Sequence, residues 1–431
     1  MSRTDIVKND KKTIRAWAIF DWANSAYALV ISTAVFPIYY NSITDETVKV
    51  FGSEVSNGAV YSFAITLAYI LIGSLSPLLS GIADYSGKRL YFLKIFTVVG
   101  SLACIAMFFF EKSSDIWIGI ITFIIATVGF AGSLVFYDSF LPLIATEDQY
   151  DKVSARGFSY GYVGSVILLI FILFMVQKPE VFGITSPTLP TRIGFILVGV
   201  WWLTFSQITF RGMPQDQRTG LPVNSFYKGY HEVRKVFNEA KKMRSLKAFL
   251  LSFFLYSAGV QTVIYVASLF SQQVLGMESS ELIMTILIIQ LVGILGAWLF
   301  AKISGKIGNK KALLIQIVIW FILCIGAYLC TTKGVFFGLA AGVGMVMGGI
   351  QALSRASYSK LLPKGEDDVT SYFSLYDVVY KSAIVVGTFL FGLVNLITGD
   401  MRSSVLMLAC LFIGGAIVMT RVNFDEEHMN Q

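Results

Sequence analysis

The stretch GIADYSGKR, residues 81–89, decides the fold. It is a charged turn set between two apolar runs, at about 59–80 and 90–110. Each run is long enough to cross a ~30 Å hydrocarbon layer as a helix rising 1.5 Å per residue. About 221 residues later the chain repeats the arrangement, with KISGKIGNKK at 302–311 closing another such run. Gly87 falls on Gly308, Arg89 on Lys310, and Asp84 on Gly305. A charged turn that returns half a chain later implies two halves built alike.

Outward from that turn, apolar runs lie at about 17–40, 59–80, 90–110, 116–138, 157–176 and 192–210. Six more follow at about 248–271, 281–301, 312–330, 335–354, 372–397 and 403–420. The composition agrees. Of 431 residues, 55% are hydrophobic and only 14% charged, with a mean hydropathy of +0.68. A soluble domain carries about 25% charged residues, so this chain could not clothe a water-exposed surface. Disorder and a secreted disulfide scaffold are excluded on the same grounds. The expected fold is an all-α membrane protein of twelve transmembrane helices in two pseudo-symmetric halves of six.

Lysine and arginine set the orientation. Of the 34, 26 fall in the segments on one side, counting both termini, and 6 in the loops on the other. The positive-inside rule places the rich side in the cytoplasm, so both termini are expected there, in the cell membrane. The longest cytoplasmic loop divides the chain into 1–210, a linker at 211–247, and 248–431. Within the linker, Phe226, Tyr230, Val233, Phe237 and Ala240 recur at helical spacing beside Lys228, Arg234, Lys235, Lys241 and Lys242. This reads as an amphipathic helix on the inner leaflet, with anionic lipids as its partner.

Several chemistries are poorly supplied. The four cysteines lie in apolar runs without a C-x-x-C pair, and both histidines, His231 and His428, lie in polar segments. No metal, cofactor or histidine-based catalysis is therefore expected, and an enzyme is not the reading. Phosphate-loop and dinucleotide fingerprints are absent, which argues against direct ATP drive. The net charge of +7 follows from the inner loops rather than from nucleic-acid binding.

Parallel repeats of six spans, with substrate near the midplane between them, are how major facilitators are built. The turn at 81–89 resembles that superfamily's signature, G-x-x-x-D-x-x-G-[KR]-[KR], through Gly81, Asp84, Gly87, Lys88 and Arg89. Longer stretches narrow the resemblance: WAIFDWANSAYALVISTAVFPIYY (17–40), FYDSFLPLIA (136–145), VSARGFSYGYVGS (153–165), MGGIQALSRASYSKLLP (347–363) and SYFSLYDVVYKSA (371–383). Together they resemble the vacuole effluxer family of major facilitators, whose fungal autophagy-related members are linked to amino-acid export from the vacuole. The resemblance implies a transporter with the twelve-helix fold, and Gly81 to Arg89 as its gating motif.

Charges inside spans mark candidate function, because they are costly there. Asp21 lies just inside the first span, with Asn24, Ala28 and Ser32 continuing a polar or small face inward. Asp138 ends the fourth span, where the helix dipole disfavours it, and Arg156, at the start of the fifth, is its nearest arginine in sequence. Lys381 is the deepest charge, preceded by Asp377 in the favourable acid-then-base order. Arg355 sits beside Gln351 at the end of the tenth span, suited either to a carboxylate or to lipid headgroups. Tyr137, Tyr376, Tyr380 and Gln261 could line an amphipathic path. Small residues at four-residue spacing, Gly157–Gly161–Ser165 and Ala340–Gly344–Gly348, suit close helix contact.

The expected function is secondary transport by alternating access. Its substrate is a small polar or amphipathic metabolite, amino acids among them, with the proton as coupling ion and the chain acting as a monomer. The alternatives are a facilitator for lipids or hydrophobic drugs and, in another class, a non-transporting scaffold or receptor.

Overall fold

The computed structural model describes residues 7–50, 53–216, 225–363 and 368–424. Among them are twelve helices long and apolar enough to cross a membrane. Spans 1 to 6 are Lys11–Ile43, Val60–Ser86, Arg89–Phe109, Ser113–Ile144, Glu147–Gln177 and Leu189–Gly212. Spans 7 to 12 are Arg244–Ala267, Glu281–Ile307, Asn309–Leu329, Lys333–Lys360, Val369–Thr398 and Met401–Met419. Each apolar run of the sequence overlaps one of them. A helix, Ser225–Ala240, stands between spans 6 and 7.

The chain gathers into two compact units. One holds residues 11–138 and 160–230; the other holds 1–10, 139–159 and 231–431. Boundaries thus fall inside spans 4 and 5 and inside the helix Ser225–Ala240, and the turn joining spans 4 and 5 packs in the unit that carries spans 7 to 12.

Within each unit the same helix pairings recur. Span 6 packs on spans 1 and 3, as span 12 packs on spans 7 and 9. Span 4 packs on spans 2 and 3, as span 10 packs on spans 8 and 9. The repeat heard in the two charged turns is therefore a repeat of packing. It extends to main-chain approaches: a Cβ at Gly161 of span 5 would lie 3.2 Å from the Asp21 carbonyl oxygen of span 1. One at Gly387 of span 11 would lie 2.4 Å from the Ala258 carbonyl oxygen of span 7.

The turn at 81–89 owes its shape to Gly87. Its φ of +66° is left-handed, which glycine adopts without the penalty a Cβ brings. The Lys88 N–H donates to the Ala83 carbonyl at 2.9 Å and the Gly87 N–H to Asp84 at 3.3 Å. These two bonds close the end of span 2 in the manner of a glycine C-cap. Gly308 also has positive φ, +81°, at the matching turn.

Two features were not legible in the apolar pattern. Tyr27–Val35, in the middle of span 1, is π-helical, and the Thr33 hydroxyl donates at 2.8 Å to the Ala28 carbonyl five residues back. The connection between spans 1 and 2 carries an antiparallel hairpin, Thr47–Val50 with Ser53–Ser56, in which Val48 faces Val55. Its β-branched residues favour extended backbone, a signal too short to stand out in a helical chain.

Candidate functional site

In the first unit the site is built around Asp21. Span 1 buries this carboxylate to 4% exposure, and the Tyr137 hydroxyl of span 4 donates to its Oδ2 at 2.8 Å. Trp17, one turn earlier, stacks on the Tyr137 ring at 4.5 Å and donates its indole N–H to the Tyr137 carbonyl at 3.0 Å. The Phe20 ring, tilted by 32°, also lies against that ring at 4.8 Å. The tyrosine is thus fixed at both ends, and its hydroxyl is aimed. Asn24 is also buried, and its side-chain nitrogen has no hydrogen-bond partner. An unspent donor beside a buried carboxylate is an arrangement that a polar ligand could complete. Ala28 and Ser32 continue that face, half-buried, along the π-helical stretch. Asp138 ends the long helix of span 4 and is half-buried, whereas Arg156 is exposed.

In the second unit the site is the pair on span 11. The Lys381 ammonium donates to Asp377 Oδ2 one turn away, and both residues are buried, at 6% and 9% exposure. Lys381 is twelve residues past Val369, ~18 Å along a helix that needs about 20 residues to cross. The pair is therefore in mid-span. Thr388 and Asn395, seven and fourteen residues further, fall on the same helix face and extend it as a polar stripe.

Aromatic rings adjoin this helix. Tyr376 stacks on Phe253 of span 7 at 4.2 Å and lies 4.8 Å from the Tyr358 ring of span 10. Tyr380 lies 6.1 Å from the same Phe253 ring. Tyr256 shares a 2.7 Å hydrogen bond with Ser354, and Gln261 is buried on the same helix as Tyr256. Gln351 is half-buried on span 10.

Arg355, near the end of span 10, is enclosed by protein. It is 3% exposed, bonds Ser154 through its side-chain oxygen at 2.9 Å and its carbonyl at 3.0 Å, and covers the Phe158 ring at 4.4 Å. Beside it lies a cluster that sequence reasoning missed. Asp151 accepts from Ser304 at 2.7 Å and Asn309 at 2.8 Å, and Lys360 pairs with it at 3.1 Å. Nothing in the sequence singles out Asp151; the available signal was Asn309, inside the repeated 302–311 motif.

The gating motif is also built as a unit. Arg89 donates from Nε at 3.1 Å and Nη2 at 2.9 Å to Oδ1 of Asp84, whose side chain is 1% exposed. Lys88 is buried. Asp216, from beyond span 6, accepts from the Leu90 and Tyr91 N–H groups at 3.0 and 2.8 Å and so caps span 3. Burial raises the Asp216 carboxyl above its usual value, against the pull of those N–H donors and of Lys88.

Comparison with known proteins gives the family. The model described as "Vacuole effluxer Atg22 like" matches residues 9–431. The chain belongs to the Atg22-like vacuole effluxer family. Among its relatives, the MFS-type transporter YxiO of Bacillus subtilis (strain 168) is 30% identical over 97% of this chain and 96% of its own. Autophagy-related protein 22 of Vanderwaltozyma polyspora is 23% identical over 94% of this chain and 90% of its own. Solved structures share the fold. The proton:xylose symporter XylE superposes with a TM-score of 0.69 at 12% identity, over 95% of this chain and 94% of XylE. The transporter FucP, in its outward conformation, gives 0.67 at 14% identity, over 96% and 98%. This Atg22-like chain is a multi-pass membrane protein with the major facilitator fold, and its family and fold are those of transporters rather than enzymes.

Proposed function

We propose that this Atg22-like protein is an alternating-access secondary transporter for a small zwitterionic or amphipathic metabolite, amino acids being the leading class, with protons as coupling ion. The observation that carries the reading is the buried Asp377–Lys381 pair in mid-span. Insertion alone would be easier with no charge at that depth. A zwitterion offers a carboxylate to Lys381 and an ammonium to Asp377, so the pair can exchange its internal partner for a ligand's. On this reading Asp21, held by Tyr137, takes up and releases the proton, with Asp138 and Asp377 as the other acids of the path. Asn24, Gln261, Gln351, Arg355, Tyr376 and Tyr380 contribute polar contacts.

The Asp84–Arg89 turn and its neighbours Gly81, Gly87 and Lys88 control exchange between conformations rather than ligand contact. The reading takes the halves as 1–210 and 248–431 joined by 211–247, a monomer, and both termini in the cytoplasm of a cell membrane whose inner-leaflet anionic lipids meet the linker. The stacked rings of Phe253, Tyr376 and Tyr358 support a second reading, a facilitator for lipids or hydrophobic drugs.

The test is a thermal-shift screen of purified protein against amino acids, peptides, lipids and drugs. A ligand that binds the folded state raises its apparent stability. Hits are then followed as uptake into vesicles with and without an imposed pH gradient. Stabilisation by amino acids with gradient-driven uptake supports the first reading. Stabilisation by lipids or drugs alone, without response to the gradient, favours the second.

A further inference from the structure

The helix Ser225–Ala240 has three faces, not two. Gly229, Val233, Val236 and Ala240 recur at helical spacing and turn toward the protein; Val236 is 2% and Ala240 4% exposed. In the first unit, a Cβ at Gly229 would lie 2.8 Å from the Ile82 nitrogen, so this helix rests on the end of span 2. In the second unit, Lys235 pairs with Asp368 at 2.7 Å and Glu239 accepts from the Tyr372 hydroxyl at 3.2 Å, at the start of span 11. The first turn and a half of the helix is thus held within one unit and the rest within the other.

The two remaining faces differ sharply. Lys228, His231, Lys235, Asn238 and Lys242 form one, entirely polar, and two of its cations reach protein partners, Lys228 the Tyr85 hydroxyl and Lys235 the Asp368 carboxylate. Tyr227, Tyr230, Arg234, Phe237 and Lys241 form the other, in which three aromatic rings alternate with two cations. Tyr227 is 68%, Tyr230 57% and Phe237 48% exposed, and the Lys241 ammonium lies over the Phe237 ring at 4.2 Å. The stripe read from the sequence is thereby divided: Val233 and Ala240 serve the protein face, Tyr230 and Phe237 the aromatic one. Phe226 falls outside the described side chains.

Resting on the cytoplasmic placement of the linker proposed above, we infer which face meets the lipid: Tyr227, Tyr230 and Phe237 form the surface that seats the linker in the anionic inner leaflet. Aromatic side chains favour the headgroup level, where an apolar ring and a polar tip are both accommodated. Arg234 and Lys241, placed among those rings, complement anionic headgroups. A purely water-facing helix would gain nothing from three large exposed rings gathered on one side.

The experiment uses the full chain, with exposed Cys410 replaced by serine and a nitroxide attached at Phe237→Cys or, for comparison, His231→Cys. Each protein is reconstituted in vesicles of phosphatidylcholine alone and of phosphatidylcholine with phosphatidylglycerol. Spin relaxation by oxygen, which concentrates in lipid, is measured against relaxation by a water-soluble nickel chelate. The expected result is an oxygen-to-nickel ratio several-fold higher at 237 than at 231, rising further when phosphatidylglycerol is present. Arg234→Ser with Lys241→Ser should remove that rise and leave the label at 231 unchanged. Equal nickel access at both positions would overturn the inference, and so would a label at 237 reached by neither reagent, which would mean that protein covers the face. A ratio indifferent to phosphatidylglycerol would overturn its anionic part.

Discussion

The Tyr137 hydroxyl donates to the Asp21 carboxylate at 2.8 Å, in a setting where Trp17 stacks on the tyrosine ring and Phe20 packs against it. The carboxylate is therefore met by a donor whose position the helix packing has already fixed. Tyr137→Phe keeps the ring and removes the donor, so the loss should be that of one bond to a charged group, about 1.5–3 kcal/mol. Thermal unfolding in detergent measures it. Asp21→Asn should fold and give uptake that no longer varies with pH. Uptake by that variant with the wild-type pH profile would remove Asp21 from the proton path.

On span 11 the decisive variant is double. Removing Lys381 or Asp377 alone should cost about 3–5 kcal/mol, because one charge is left buried without its partner. Asp377→Asn with Lys381→Met leaves no such charge and should insert and fold, yet fail to transport. Transport near the wild-type rate would reduce the pair to a device for inserting the helix.

At the charged turn, Asp84→Asn should slow transport while ligand affinity at equilibrium changes by no more than a few-fold. The reason is geometric: Arg89 and Asp84 bond each other at the end of span 2, far along the chain from Asp377 and Lys381. Loss of binding by orders of magnitude in folded protein would contradict that division.

Asp216 gives a prediction in pH. Asp216→Ala should cost about 1 kcal/mol, as for loss of a helix cap. Burial raises this carboxyl above its usual 3.8. The folded chain then keeps the proton more readily than the unfolded one, so the group's contribution to stability falls as pH rises through the window above 3.8. Measured against the non-titrating Asp216→Asn, the wild type should lose ground as pH climbs through that window, and the opposite slope would refute the sign.

Orientation is testable by labelling. Cysteines placed at Lys112 and Lys178, both exposed, should react with an impermeant reagent from outside intact cells, and one at exposed Lys242 should not. The reverse pattern would invert the topology.

Much of this molecule was legible in the sequence because a bilayer imposes strong rules. Twelve spans follow from hydropathy, and Lys381 announced itself as a charge where charges are expensive. Gly87 and Gly308 marked the repeat, since each needs a backbone that other residues resist. What escaped was relational. Nothing local to Tyr137 says that Trp17 and Phe20 will clamp it, and nothing local to Asp151 says that Ser304, Asn309 and Lys360 will converge on it across some 150 to 210 residues of chain. The π-helical middle of span 1 escaped too, because its hydropathy is that of any apolar helix.

Spans 8 and 10 meet main chain to main chain. A Cβ at Gly296 would fall 1.9 Å from the Met345 carbonyl oxygen, and one at Gly348 2.1 Å from that of Gly293. Side chains of neither helix set the spacing there, so no rotamer can give way under load. Backbone contact this close leaves no gap at those two positions for an acyl tail to enter. Even alanine at 348 would act as a wedge rather than a filling, opening a joint that lateral pressure would then find.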